Sequence, residues 1–151
     1  MLLVGASGYI GRHVALRLLQ KELDVICLFR KAPKFDKSST NKHLTNLVVD
    51  LNDKEELEIF SHSCPPFDAV ISCLGSRTGG IRDSWSSEYL ANLNILRLAL
   101  KRSARKFILL SAICVQKPKL HFQHAKLAME NELIHCGITY TIIRPTAFFK
   151  S

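Results

Sequence analysis

The residues best suited to chemistry open the chain: Gly5-Ala6-Ser7-Gly8-Tyr9-Ile10-Gly11, a G-x-x-G-x-x-G. Gly5 permits a tight turn after a strand, Gly8 lets the main chain approach a pyrophosphate, and Gly11 lets the next helix pack closely on that strand. The helix then directs free N–H groups and the positive end of its dipole at phosphate oxygens. Ser7, Tyr9 and Ile10 belong to the same cradle. A glycine turn that binds nothing has the same composition, so the weight of the motif lies in its context: a strand before it, a helix after it, a second strand beyond.

The end of that second strand selects the nucleotide. An acid there would hold a ribose 2′-hydroxyl, but the residues are Phe29-Arg30-Lys31. The nearest acid, Asp24, sits at the opposite end of the strand, about 20 Å away at ~3.3 Å per residue. Arg30 can fork onto a 2′-phosphate, with Lys31 adding charge and Arg12 within reach, which favours NADPH over NADH. As a solvated strand-end charge Arg30 would look the same. Asp50, after the third strand, suits either the adenine amino group or a turn that caps the next helix. Leu51 beside it and Leu74 after the fourth strand are further cofactor-binding candidates, and Gly75-Ser76-Arg77 would line the middle of the cofactor. Ser111 stands at the carboxyl end of the fifth strand, where open α/β sheets bind ligands, and also reads as a strand-end turn residue.

The elements that must position these groups follow from the hydrophobic pattern. Leu2-Leu3-Val4, 25–29, 47–49, 69–74, 107–110 and 140–143 read as strands; the second has no polar alternation, as expected of a parallel strand covered on both faces. Helical spacing runs over 9–22, with Ile10, Val14, Leu18 and Leu19, and from an Asn52 or Asp53 cap through Phe60. A long helix is expected over 83–102, with Tyr89, Leu93, Leu96 and Leu100 on one face, Trp85 and Tyr89 packing in the core or flanking a substrate. Another covers 121–136, closed by Gly137 as a left-handed cap. Residues 31–46 read as a polar loop with room for one helical turn. Strands alternating with helices give an α/β fold, a Rossmann-type doubly wound parallel sheet of about six strands.

Composition narrows the class. The chain has 151 residues, 47% hydrophobic and 23% charged, with a formal net charge of +8. It is globular, with no apolar run of about 18 residues to span a membrane. The basic residues are spread rather than blocked and no nucleic-acid motif accompanies them, so a phosphate-bearing cofactor accounts for the charge better than a nucleic acid. Five cysteines occur singly, without zinc spacing, and read as reduced thiols. His121 and His124, three apart on a helix, lack a third ligand and read as solvated, so no metal is expected.

Residues 72–85 (Ser-Cys-Leu-Gly-Ser-Arg-Thr-Gly-Gly-Ile-Arg-Asp-Ser-Trp), 109–118, 122–127 and 144–151 complete a set with the glycine loop. In that order they resemble the atypical, NmrA-like short-chain dehydrogenases, and among them the divinyl chlorophyllide 8-vinyl reductases. The resemblance implies NADPH-dependent reduction of the 8-vinyl group of divinyl chlorophyllide or protochlorophyllide to ethyl, in a chloroplast or the cytoplasm of a photosynthetic bacterium. It further implies that Lys126 hydrogen-bonds the nicotinamide ribose, where an exposed helix lysine is the bland alternative, and that Pro145-Thr146 present backbone to the carboxamide. Where most short-chain dehydrogenases have Tyr-x-x-x-Lys, this chain has Phe122-x-x-x-Lys126, so no phenol is available to protonate an oxygen. A non-catalytic NADP(H) sensor or photosynthetic assembly factor is the alternative, and a phenylpropanoid-type double-bond reductase a third. With Met1 inside the first strand and Ser151 soon after the sixth, residues 1–151 are expected to be an incomplete NAD(P)-binding domain without its C-terminal substrate lobe, binding NADPH weakly or aggregating, and reducing no vinyl group alone.

Overall fold

Every residue of β1 (Leu2–Val4) and β2 (Val25–Phe29) is buried, which explains why these runs lack polar alternation: helices cover both faces. In this computed structural model the described residues are 1–32 and 41–146. With β3 (Leu44–Val48), β4 (Ala69–Ser72), β5 (Lys106–Leu110) and β6 (Thr139–Ile143), the strands form one sheet in the order β3-β2-β1-β4-β5-β6. All neighbours are parallel, in registers such as Val4 opposite Leu28 and Ser72, and Leu109 opposite Ile142. The chain therefore leaves every strand at one edge of the sheet and reverses its winding between β1 and β4. This is the doubly wound arrangement, in which the crevice at the reversal binds ligands.

Period-2 geometry divides each strand between two cores. Leu2, Val4, Ile26, Leu28, Val70 and Phe107 face one side, with Phe60 of α2 (Lys54–Ser63), Ile95 and Leu96 of α4 (Ala91–Lys101), and Met129 and Leu133 of α5 (His121–His135). Leu3, Val25, Cys27 and Phe29 face the other, under Val14, Leu18 and Leu19 of α1 (Tyr9–Gln20). Asp53 caps α2 by accepting from the Glu55 and Glu56 N–H groups at 2.9 and 3.0 Å. Gly137, at φ +84, closes α5 in the left-handed conformation anticipated for it.

Three expectations need correction. β3 starts at Leu44, inside the stretch read as a loop: Leu44-Thr45-Asn46 pair with Val25-Ile26-Cys27, and an edge strand tolerates that polar composition because one side stays wet. Residues 33–40, the remainder of that loop, and 147–151, the end of the last motif, lie outside the described residues. The helix over 83–102 is not continuous. A short α3 (Ile81–Ser84) passes into a π-helical turn (Trp85–Leu90) before α4 begins. Leu100 and Trp85 are each 41% exposed, so Leu100 is not packed inside and Trp85 is not part of the core, while Tyr89 does pack on it.

Burial also sorts the cysteines. Desolvation pushes the Cys27 thiol up to about 11; Cys73 likewise reaches about 11, partly opposed by the nearby Lys126 charge. Neither is a thiolate at neutral pH, whereas Cys114 is exposed on the β5–α5 loop. An alkylating reagent should label Cys114 first and reach Cys27 and Cys73 only on unfolding. Peptide mapping by mass spectrometry checks this, and equal labelling of the three would contradict it.

Candidate cofactor site

The glycine loop has the crowding its spacing implied. Gly5 takes φ +82, and a β-carbon there would lie 2.5 Å from the Cys73 carbonyl group, so the turn presses directly on the chain leaving β4. A β-carbon on Gly11 would lie 2.1 Å from the Gly5 carbonyl oxygen, which is the close strand–helix contact at the start of α1. At Gly8 the space differs: only the Gly5 oxygen is near, at 3.3 Å, and the residue is exposed. The Gly8 N–H donates to Gly5 O at 3.0 Å and Gly8 caps α1 without a side chain. The first-turn N–H groups of α1 are thus left for an anion.

Around this loop the parallel register gathers the other expected residues at one sheet edge. Arg30 and Lys31 follow β2 and are exposed; Asp50 and the buried Leu51 follow β3; Leu74, Gly75 and Ser76 follow β4; Ser111 follows β5; Pro145 and Thr146 follow β6. Asp24 lies at the far edge, where it pairs with His43 at 2.7 Å. Asp50 does not cap α2, since Asp53 does. Asp50 instead makes a local turn, its Oδ1 accepting the Asn52 N–H at 3.0 Å. Ile113 N–H donates to Pro145 O at 2.9 Å, so the β6 exit stays paired beside Ser111. His121 and His124 are both exposed on the first turn of α5.

Lys126 is no surface lysine. It is 9% exposed, its Nζ donates to Leu110 O at 3.0 Å, and it lies 2.6 Å from Oε2 of Glu88. Glu88, itself 3% exposed, was not singled out from the sequence. Its other oxygen accepts from Ser76 N–H at 2.8 Å and Ser76 Oγ–H at 3.0 Å. The Lys126 contact is ionic, with angles outside hydrogen-bond geometry, so Oε2 accepts no hydrogen bond among the described residues. Ser111 Oγ is buried and likewise unpartnered among them. Phe122 sits half-buried one turn before Lys126.

Two further contacts brace the site. Asp83 Oδ2 accepts from the N–H groups of Arg77 and Thr78 and from the Thr78 hydroxyl, which closes the loop after β4. These bonds, Thr78's first, hold the Asp83 carboxyl below its usual range. Arg144 forks onto the buried Glu130 of α5, Nε to Oε1 at 3.0 Å and a terminal nitrogen to Oε2 at 2.5 Å, and this keeps the guanidinium protonated even more firmly than usual. The β6 exit is thereby pinned to the helix that carries Lys126.

The NAD(P)H-binding family model matches residues 5–151, from the first glycine of the loop onward. The chain belongs to this NAD(P)H-binding family. Within it, the chain is 44% identical to the chloroplastic divinyl chlorophyllide a 8-vinyl-reductase of Arabidopsis thaliana, over all of its own length and 40% of that relative's. Among solved structures, a short-chain dehydrogenase from Streptomyces avermitilis superposes with a TM-score of 0.79 at 19% identity, covering 98% of this chain and 65% of that one. The Thermus thermophilus UDP-glucose 4-epimerase, solved with NAD, gives 0.78 at 22% identity, covering 95% and 53%. At those identities the likeness is one of fold. The NAD(P)H-binding family takes a nicotinamide cofactor, and the Gly5–Gly8–Gly11 cradle suits its pyrophosphate: two glycines are filled by neighbouring backbone and the third is open.

Proposed function

We propose that these residues form the NADPH-binding domain of a divinyl chlorophyllide 8-vinyl reductase acting in the plastid, on divinyl chlorophyllide or protochlorophyllide. The observation that carries the reading is the match to the Arabidopsis reductase along the entire chain. The chain spans 40% of that relative's length, and the share of the activity assigned to these residues is cofactor binding and orientation. When bound, NADPH supplies the hydride that, with a proton, converts vinyl to ethyl.

The residues divide the work by position. The first turn of α1, opened by Gly8, holds the pyrophosphate. Arg30, with Lys31, takes the 2′-phosphate, and Asp50 with Leu51 borders the adenine. Leu74, Gly75 and Ser76 line the middle of the dinucleotide. Lys126 presents its ammonium to the nicotinamide ribose, the Pro145-Thr146 backbone meets the carboxamide, and Ser111 offers a hydroxyl beside the reacting carbon. Phe122 fits a substrate that develops no compact alkoxide: charge spreads into a macrocycle, and no phenol is needed at that position. Phe122 suits a non-catalytic NADP(H)-binding regulator equally well, and the two readings part on turnover. Consumption of NADPH by the full-length gene product, dependent on divinyl chlorophyllide, supports the reductase; binding without consumption favours the regulator.

The cofactor preference has its own test. A charge-assisted fork from Arg30 should favour NADPH over NADH by roughly 10- to 100-fold. Arg30→Glu should erase or reverse that ratio, read by titrating the nicotinamide fluorescence of each cofactor. Equal affinity of the unaltered protein for both would overturn the assignment.

A further inference from the structure

Glu88 is a carboxylate with almost no exposure, on a π-helical turn that interrupts the helix leading into α4. A π-turn adds one residue to the helical circuit, and such turns recur at functional sites. Here the extra residue is accommodated by side chains: Asn92 Nδ2 donates to the Glu88 carbonyl at 2.9 Å, and the Ser72 hydroxyl at the end of β4 donates to Asn92 Oδ1. The turn is thus tied to the strand beside the crevice. Both Glu88 carboxylate oxygens point at cofactor-lining residues, one at Ser76 and the other at Lys126. A buried ion pair seldom stabilises a fold more than apolar side chains of the same volume would. Its presence at this place calls for a reason other than stability.

From this geometry we propose that Glu88 is a positioning residue, which fixes the Lys126 ammonium and the Ser76 loop as one unit against the nicotinamide half of NADPH. The inference rests on the reading of Lys126 as the ribose-binding lysine. An ammonium has three donors. Among the described residues Leu110 O takes one, and the Glu88 carboxylate holds the ammonium by charge at 2.6 Å. A free lysine chain explores many rotamers; held from two sides, this ammonium is kept in one place, and the entropy of ordering it is spent before the cofactor arrives. Glutamine cannot replace this arrangement. Its single carbonyl oxygen can serve Ser76 or Lys126, and its amide group turned toward the ammonium would push it away.

The test uses the full-length gene product, with NADPH affinity, kcat on divinyl chlorophyllide and melting temperature measured for each variant. Glu88→Gln should weaken NADPH binding roughly tenfold and lower kcat roughly 10- to 100-fold. Glu88→Asp, which keeps the charge on a shorter arm, should recover most of both and keeps the question answerable should the glutamine variant fail to fold. In a Lys126→Ala background, Glu88→Gln should cost nothing further in either quantity, because the ammonium is gone and the glutamine carbonyl is free to serve Ser76. A Glu88→Gln protein with a lower melting temperature but affinity and kcat within about twofold of the original would overturn the proposal, as would equal losses with and without Lys126. Failure of the unaltered protein to bind NADPH at all would instead overturn the reading of the site, and this inference with it.

Discussion

Lys126→Ala should lower stability by about 3–5 kcal/mol, the usual cost of removing one partner from a buried ion pair. The reason is what remains. Glu88 stays 3% exposed, with Oε1 still accepting from Ser76 and Oε2 deprived of the only cation placed beside it among the described residues. The same change should weaken NADPH binding and reduce turnover together, since the ammonium proposed to meet the nicotinamide ribose disappears. Chemical denaturation and a cofactor titration measured on one preparation check the two halves. A surface lysine would leave both unchanged, and that result would contradict the burial as well as the role.

Gly11→Ala and Gly8→Ala should separate packing from binding within one loop. A methyl group on Gly11 must displace the Gly5 carbonyl oxygen, 2.1 Å from its position, and that oxygen belongs to backbone at φ +82 already pressed against Cys73. The cost should reach the top of the ~1–3 kcal/mol range for overpacking, or roughly 6–12 °C in melting temperature for a chain of this size. Cofactor affinity should fall with it. At Gly8 the nearest atom to a new methyl is 3.3 Å away, and φ of −77 is open to any residue. Gly8→Ala should therefore cost no more than about 1 kcal/mol of stability, while the methyl occupies the surface offered to the pyrophosphate and binding drops at least tenfold. Equal behaviour of the two variants in both measurements would refute the division of labour.

The glycine loop, the order of elements and the cluster of strand ends could all be read from the sequence for one reason. Each depends on local pattern: glycine spacing, apolar runs, and the rule that parallel strands share an exit edge. β3 was shortened in that reading because the edge residues Leu44-Thr45-Asn46 lack the apolar run that marked the central strands. The π-helical turn left no trace, since Trp85–Leu90 carries ordinary helix residues and the periodicity on either side bridges it. Glu88 was missed with it. A glutamate in a helical stretch reads as solvated, and only the tertiary meeting of that turn with α5 and Ser76 shows that it is buried.

In the proposed function this crevice delivers a hydride from NADPH to a vinyl group. That step is tested most directly by incubating the full-length gene product with divinyl chlorophyllide and NADPH deuterated at C4, each face in turn, then separating the pigments and weighing the product. The account predicts a monovinyl product whose ethyl group carries one deuterium from one labelled face only, formed more slowly with Lys126→Ala. Recovery of unchanged divinyl pigment while NADPH is demonstrably bound would contradict it.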